Sequence, residues 1–144
     1  MILVDANVLL YAYDSRSPRH ADARTWLEAA LSARQPVRFP LVTLLAFVRM
    51  GSHPRVFTEP LDPEEALAFV SSWLARPDAG IAEPTDRHWQ VFGGMLREGQ
   101  AAGAKVTDAH LAALAVEHGG VLCTTDRDFG RFPGLRFLDP LPSG

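Results

Sequence analysis

Met1-Ile2-Leu3-Val4-Asp5-Ala6-Asn7 is the stretch whose reading decides the fold. So short and unbroken an apolar run is the pattern of a strand buried on both faces of a parallel sheet, and it stops abruptly at a carboxylate. In open α/β sheets ligands bind beyond the carboxyl ends of the strands, so Asp5 faces a candidate site. Asp and Asn are also ordinary turn and cap residues, and taken alone the stretch favours that plainer reading.

A second buried-strand pattern changes the balance. Val121-Leu122-Cys123-Thr124-Thr125 also ends in carboxylates, Asp126 and Asp128. Strands separated by helices form parallel sheets, so both strands emerge on one side, and their acids converge if the strands are neighbours. Asp108 opens the helical segment leading into the second strand, and crossover geometry brings such a helix start to the same edge. Each acid has a competing structural reading. An acid in a first helical turn is favoured by the helix dipole, and Asp126 and Asp128 equally suit a turn salted by Arg127 and Arg131. Carboxylates gathered in one pocket repel one another unless a cation offsets them. Mg²⁺ or Mn²⁺ suits such a set, because hard cations take oxygen ligands and activate water against a phosphodiester.

The 144 residues, 47% hydrophobic and 22% charged, have the size and balance of one domain spanning 1–144 with a sizeable core. No apolar run approaches a membrane span or a signal-peptide core, so a cytoplasmic protein is expected. The single cysteine, Cys123, excludes a disulfide framework or a CxxC metal site and reads as core filling. Net charge is -3, yet all the basic residues but Lys105 are Arg, suited to bidentate phosphate contact. An Arg-rich genome would leave the same bias.

Helices fill the intervals. Asn7 to Tyr13 leaves the first strand. The next helix has Ser17 as its expected cap, Pro18 in its first position and Ala23, Trp26, Leu27, Ala30 and Leu31 on one face, with Pro36 as its stop. Val37 to Leu41 reads as a strand whose Pro40 sits near an edge or a strand end. Leu41 to Met50 is a buried helix terminated by Gly51. Asp62 caps a helix opened by Pro63, Glu64 and Glu65, and Gly80 to Ala82 is a third strand. Thr85 is expected to cap a helix with an apolar face of Trp89, Phe92 and Leu96, and Gly93-Gly94 within it points to close packing or a kink. Thr107 is expected to cap the helix that carries Asp108, His110 and His118. Both histidines read as core or rim residues without a catalytic role.

Three motifs in order, Ile2-Leu3-Val4-Asp5-Ala6-Asn7, Thr107-Asp108-Ala109-His110-Leu111-Ala112-Ala113-Leu114-Ala115 and Thr124-Thr125-Asp126-Arg127-Asp128-Phe129, resemble those of PIN-domain nucleases. The VapC toxin branch of bacterial toxin-antitoxin systems is the nearest likeness, and it covers nearly the whole chain. The resemblance implies an α/β fold, a three-layer α/β/α sandwich with a central parallel sheet. It also implies a Mg²⁺-dependent endoribonuclease, with Mn²⁺ as a substitute, forming a homodimer inhibited by a VapB-like antitoxin. By motif position Asp5, Asp108 and Asp126 are the implied metal ligands, with Asp128 as a fourth catalytic acid. One family residue is absent. The glutamate expected on the helix after the second strand would fall at about Ala46 or Phe47, and no Asp or Glu occurs between Glu28 and Glu59.

Two other readings stand beside the RNA-cleaving one. A receiver-like phosphoacceptor shares the length, sheet and strand-end acids but needs a lysine after the last core strands, where only Arg follows Lys105. A PIN-like binding module without catalysis would account for the absent glutamate. If the chain cleaves RNA, the surplus of acids and the lack of a His pair for acid-base work point to water as nucleophile, leaving a 5′-phosphate and a 3′-hydroxyl.

Overall fold

Ile2–Val4 forms β1 at the centre of a five-stranded sheet in the computed structural model, which describes residues 1–141. The others are β2 (Val37–Pro40), β3 (Ala79–Ala82), β4 (Val121–Cys123) and β5 (Phe137–Leu138), in the order β3-β2-β1-β4-β5. Every pairing is parallel, and β1 lies directly beside β4, with Val4 opposite Cys123. Both strands that end in acids are therefore adjacent and surface on one edge. Pro40 is tolerated because it closes β2 at its last residue.

Alternation along the strands sends side chains to two cores. Val4, Val37 and Phe39 pack on one face against α1 (Ala6–Tyr13), α2 (His20–Ser32), α3 (Leu41–Gly51) and α4 (Pro63–Leu74). Leu3 and Leu122 point the other way, against α5 (His88–Glu98) and α6 (Lys105–Glu117). This is the three-layer α/β/α sandwich. Inside α6 the run Ala109 and Leu111 to Ala115 is buried, its small side chains letting the helix sit close on β4. Cys123 is core, and burial pushes its thiol up to about 12. No helix among the described residues is long and apolar enough to cross a membrane.

Asp62 caps α4 as expected, accepting from the Glu64 and Glu65 N–H groups at 2.8 and 3.1 Å while Glu65 reaches back to the Asp62 N–H. Three other caps differ. Ser17 Oγ accepts from the Arg19 N–H in a turn that precedes α2, so the helix starts at His20 and Pro18 lies outside it; its end comes at Ser32, before Pro36. Thr85 closes a similar turn on the Arg87 N–H, outside α5. Gly103, at φ 58°, turns the chain early enough for α6 to begin at Lys105, which puts Thr107 inside its first turn instead of at its cap.

The α5 face is also rotated from the expected one. Trp89 is 81% exposed, while His88, Phe92 and Met95 take the i, i+4, i+7 positions toward α6. Gly93 and Gly94 lie in one continuous helix; a methyl at Gly93 would crowd the Arg97 guanidinium at 3.3 Å and one at Gly94 would meet nothing, so neither is packed against another element.

Candidate active site

Val4 is the last residue of β1, and Asp5 then serves as the N-cap of α1: its Oδ1 accepts from the Ala6 N–H at 2.7 Å. The other oxygen, Oδ2, accepts from Thr124 Oγ1 at 2.7 Å across the β1–β4 junction. Thr124, 1% exposed, is a hub: its hydroxyl also accepts from the Asp126 N–H at 3.1 Å and from Asn7 Nδ2 at 3.3 Å. Asn7 Oδ1 in turn accepts from the Thr125 N–H. The two strand ends are thus laced by side chains, and Asp5 is held in one orientation by donors on both oxygens.

Asp108 reaches the same edge from the first turn of α6. Asp5 and Asp108 together line a cleft of about 350 Å³ whose opposite wall is α3, through Val42, Thr43, Leu45, Ala46 and Arg49. Burial pushes the Asp5 carboxyl above its usual range, and the charge of Asp126 adds to the rise against the opposing Thr124 and Ala6 hydrogen bonds. Asp108 is raised by burial first, then by Asp126 and Asp5, with Lys105 pulling the other way. The charge of Asp126 thus bears on both Asp5 and Asp108. Asp126 divides its role, since its Oδ1 accepts from the Asp128 N–H at 2.9 Å and caps a 3₁₀ turn, Arg127–Arg131.

Asp128 behaves differently. Its Oδ2 lies 2.8 Å from Lys105 Nζ and 3.0 Å from Arg131 Nε, and these two cations hold the carboxyl below its usual range. Arg127 takes no part in the pairing. In the sequence Lys105 stood out only as the sole lysine, too early in the chain to serve as a receiver lysine; here it stands over the acids, 3.7 Å from Asp108 as well. It precedes Asp108 by three residues, the helical spacing that carried this signal. Thr124 and Asn7 were missed as supports, although each sits within the motif beside the acid it steadies.

A second polar chain was missed altogether. Glu117, with a side chain 0% exposed, bonds the Thr85 N–H through Oε1 and His88 Nδ1 through Oε2, both at 2.8 Å. His88 Nε2 then meets His110 Nδ1 at 2.8 Å. A His pair does exist, but it is committed to itself between α5 and α6, and neither ring lines the acidic cleft. The expected site of an additional acid divides in two: Phe47 is buried in the core, while Ala46 lines the cleft.

Residues 2–135 match the family model for the PIN domain. The chain is 46% identical over 140 residues to ribonuclease VapC37 of Mycobacterium tuberculosis, covering 97% of each protein. Ribonuclease VapC43 of the same organism is 40% identical over 141 residues, with 98% of this chain and 96% of that protein covered. Among solved structures, VapBC2 from Rickettsia felis bound to a DNA fragment from their promoter has a similar fold. Its TM-score is 0.69 at 16% identity, over 96% of this chain and 98% of that one.

Proposed function

The chain belongs to the PIN domain family, among the VapC ribonucleases, and from that premise we propose that it is a divalent-metal-dependent endoribonuclease, the toxin of a toxin-antitoxin pair. The observation that carries this reading is the cleft that Asp5 and Asp108 line together, where burial and the charge of Asp126 hold both carboxyls above their usual range.

The donor set suits a hard cation. Asp5, Asp108 and Asp126 offer only oxygen ligands, and a cation would relieve the repulsion that raises Asp5 and Asp108. Among the described residues no three His, Cys, Asp or Glu side chains lie close enough to cage an ion by themselves. Mg²⁺ keeps several waters and needs only one or two carboxylates beside substrate phosphate. Asp5 and Asp108 would hold the ion and Asp126 would add negative potential. When bound, Mg²⁺ or Mn²⁺ lowers the pKa of a coordinated water and offsets charge developing on the phosphate. With Ala46 in place of an acid, the free protein holds a single, weakly bound ion.

Thr124 and Asn7 keep Asp5 turned into the cleft, and Lys105 with Arg131 draws Asp128 aside, so Asp128 supports the pocket from its rim. Water is the nucleophile, because the histidines that would deprotonate a ribose 2′-hydroxyl are engaged elsewhere. Products carry a 5′-phosphate and a 3′-hydroxyl. The toxin acts in the cytoplasm, where its RNA is. Leu41 and Leu45, 54% and 61% exposed beside the cleft, call for cover. An antitoxin resembling VapB supplies it, lodging a basic side chain near Asp5 and Asp108, and the toxin pairs as a homodimer.

The purified protein incubated with RNA and Mg²⁺, with and without EDTA, tests this reading. Cleavage that EDTA stops, with 5′-phosphate ends, is expected. Cleavage that persists in EDTA, or 2′,3′-cyclic phosphate ends, would overturn the mechanism. RNA bound and never cut would make the chain a binding module.

A further inference from the structure

An acidic cleft must still receive a polyanion. Asp5, Asp108 and Asp126 repel an RNA phosphate, and the cation beside them, Lys105, is already paired with Asp128 at 2.8 Å and Asp108 at 3.7 Å. On the opposite wall Arg49 lines the cleft with Asp5 and Asp108, and among the described residues its guanidinium has no ion pair or side-chain hydrogen bond. It is exposed, in the last turn of α3, one turn beyond Leu45 on the same face of the helix. The wall that lacks an acid thus carries a free cation, and a guanidinium presents a planar fork of donors matched to two phosphate oxygens.

We propose that Arg49 is a substrate-positioning residue that grips an RNA phosphate across the cleft from Asp5 and Asp108, holding the backbone between the α3 wall and the acids. This rests on the ribonuclease reading above. Leu45, exposed one turn earlier, gives the adjoining ribose or base an apolar surface. An Arg near a helix C-terminus also favours the helix dipole, which is a purely structural role and leaves RNA untouched.

Binding and turnover separate the two. Fluorescence anisotropy of a short labelled single-stranded RNA is measured in EDTA against wild type, R49Q and R49K, so that cleavage plays no part. R49Q is expected to weaken binding about tenfold or more, as loss of a charged hydrogen bond does, and to lower the slope of log affinity against log salt by about one. R49K, which keeps the charge and loses the fork, falls between. With Mg²⁺, R49Q should raise KM while kcat stays within a few-fold. Unchanged RNA affinity, salt slope and KM in R49Q would overturn the proposal, as would a lowered melting temperature as the sole effect. If wild-type protein neither binds nor cuts RNA, the ribonuclease reading fails and this inference with it; if wild type cuts and R49Q cuts equally well, this inference alone fails.

Discussion

The acidic cleft and the α5–α6 interface are both built from titratable side chains, yet they resolve their charges in opposite ways. At the interface Glu117 is fully buried but satisfied on both oxygens, by a backbone N–H and by His88, and His88 passes its other nitrogen to His110. In the cleft, Asp5 and Asp108 are raised by burial and by the charge of Asp126, and the one cation that reaches Asp108, Lys105 at 3.7 Å, sits closer to Asp128. The interface stabilises the fold at its own site. The cleft does not, which is the pattern expected where a polar group is kept for a ligand and other parts of the fold offset it.

The comparison breaks most sharply in activity. D5N and D108N should each reduce RNA cleavage by more than about 100-fold, beyond what losing a supporting contact around a metal costs. Full activity in both variants would show that the cleft is not the reacting centre. Their stability should move the other way. Both carboxyls are raised above the ordinary value of 3.8, so the folded chain binds their protons more tightly than the unfolded one. Their charged forms subtract stability above the raised values, and the penalty disappears as pH falls through them. D108N should therefore melt above wild type at neutral pH, with the margin shrinking as the buffer is acidified, while in D5N the gain is offset by the loss of one acceptor oxygen for Thr124 or Ala6. Asn keeps the N-cap of α1, so the helix survives D5N.

At the interface the same kind of change should act on stability alone. E117A leaves the half-buried Thr85 N–H and His88 imidazole without their partner and should cost about 1–3 kcal/mol in denaturant unfolding, while the folded fraction cleaves RNA normally. Loss of cleavage at full stability would tie the histidine chain to the chemistry. A46E tests the boundary between the two regions by adding a carboxylate to the cleft wall. Calorimetry with Mn²⁺ should show affinity rising about tenfold, the scale of one well-placed supporting group. Two tight sites in the RNA-free wild type would refute the single-ion reading. The smallest change is D128N, which releases Lys105 and Arg131 at the exposed rim. Cleavage should stay within a few-fold of wild type, and a loss as large as that of D5N would return Asp128 to the catalytic acids.

Much of this was legible before any coordinates. Ile2–Val4 and Val121–Cys123 are too short and too uniformly apolar for amphipathic elements, and each ends in an acid, so a parallel sheet with a polar edge followed directly. Asp108 was readable as a first-turn acid because helical period is local. Helix starts were less legible. Ser17, Thr85 and Thr107 have the chemistry of caps, but two of them close turns just outside the helix and Thr107 falls within it, because the turn at Gly103 starts α6 early.

By itself, then, the sequence determined the parallel sheet and the acids at its edge, since these depend on burial periodicity and on where strands end, while the three layers were implied by the family resemblance. Only the tertiary structure decided which polar groups meet. It set β1 against β4, so that Thr124 could donate to Asp5. It carried Lys105 to Asp128, rotated His88 in place of Trp89 onto α6, and turned Arg49 and Ala46 toward the acids. The reason is physical: a hydrogen bond or ion pair is decided within about 3 Å, by the rotation of a helix about its axis and the order of strands in a sheet. A residue pattern records only whether a side chain is buried, and leaves open what it touches.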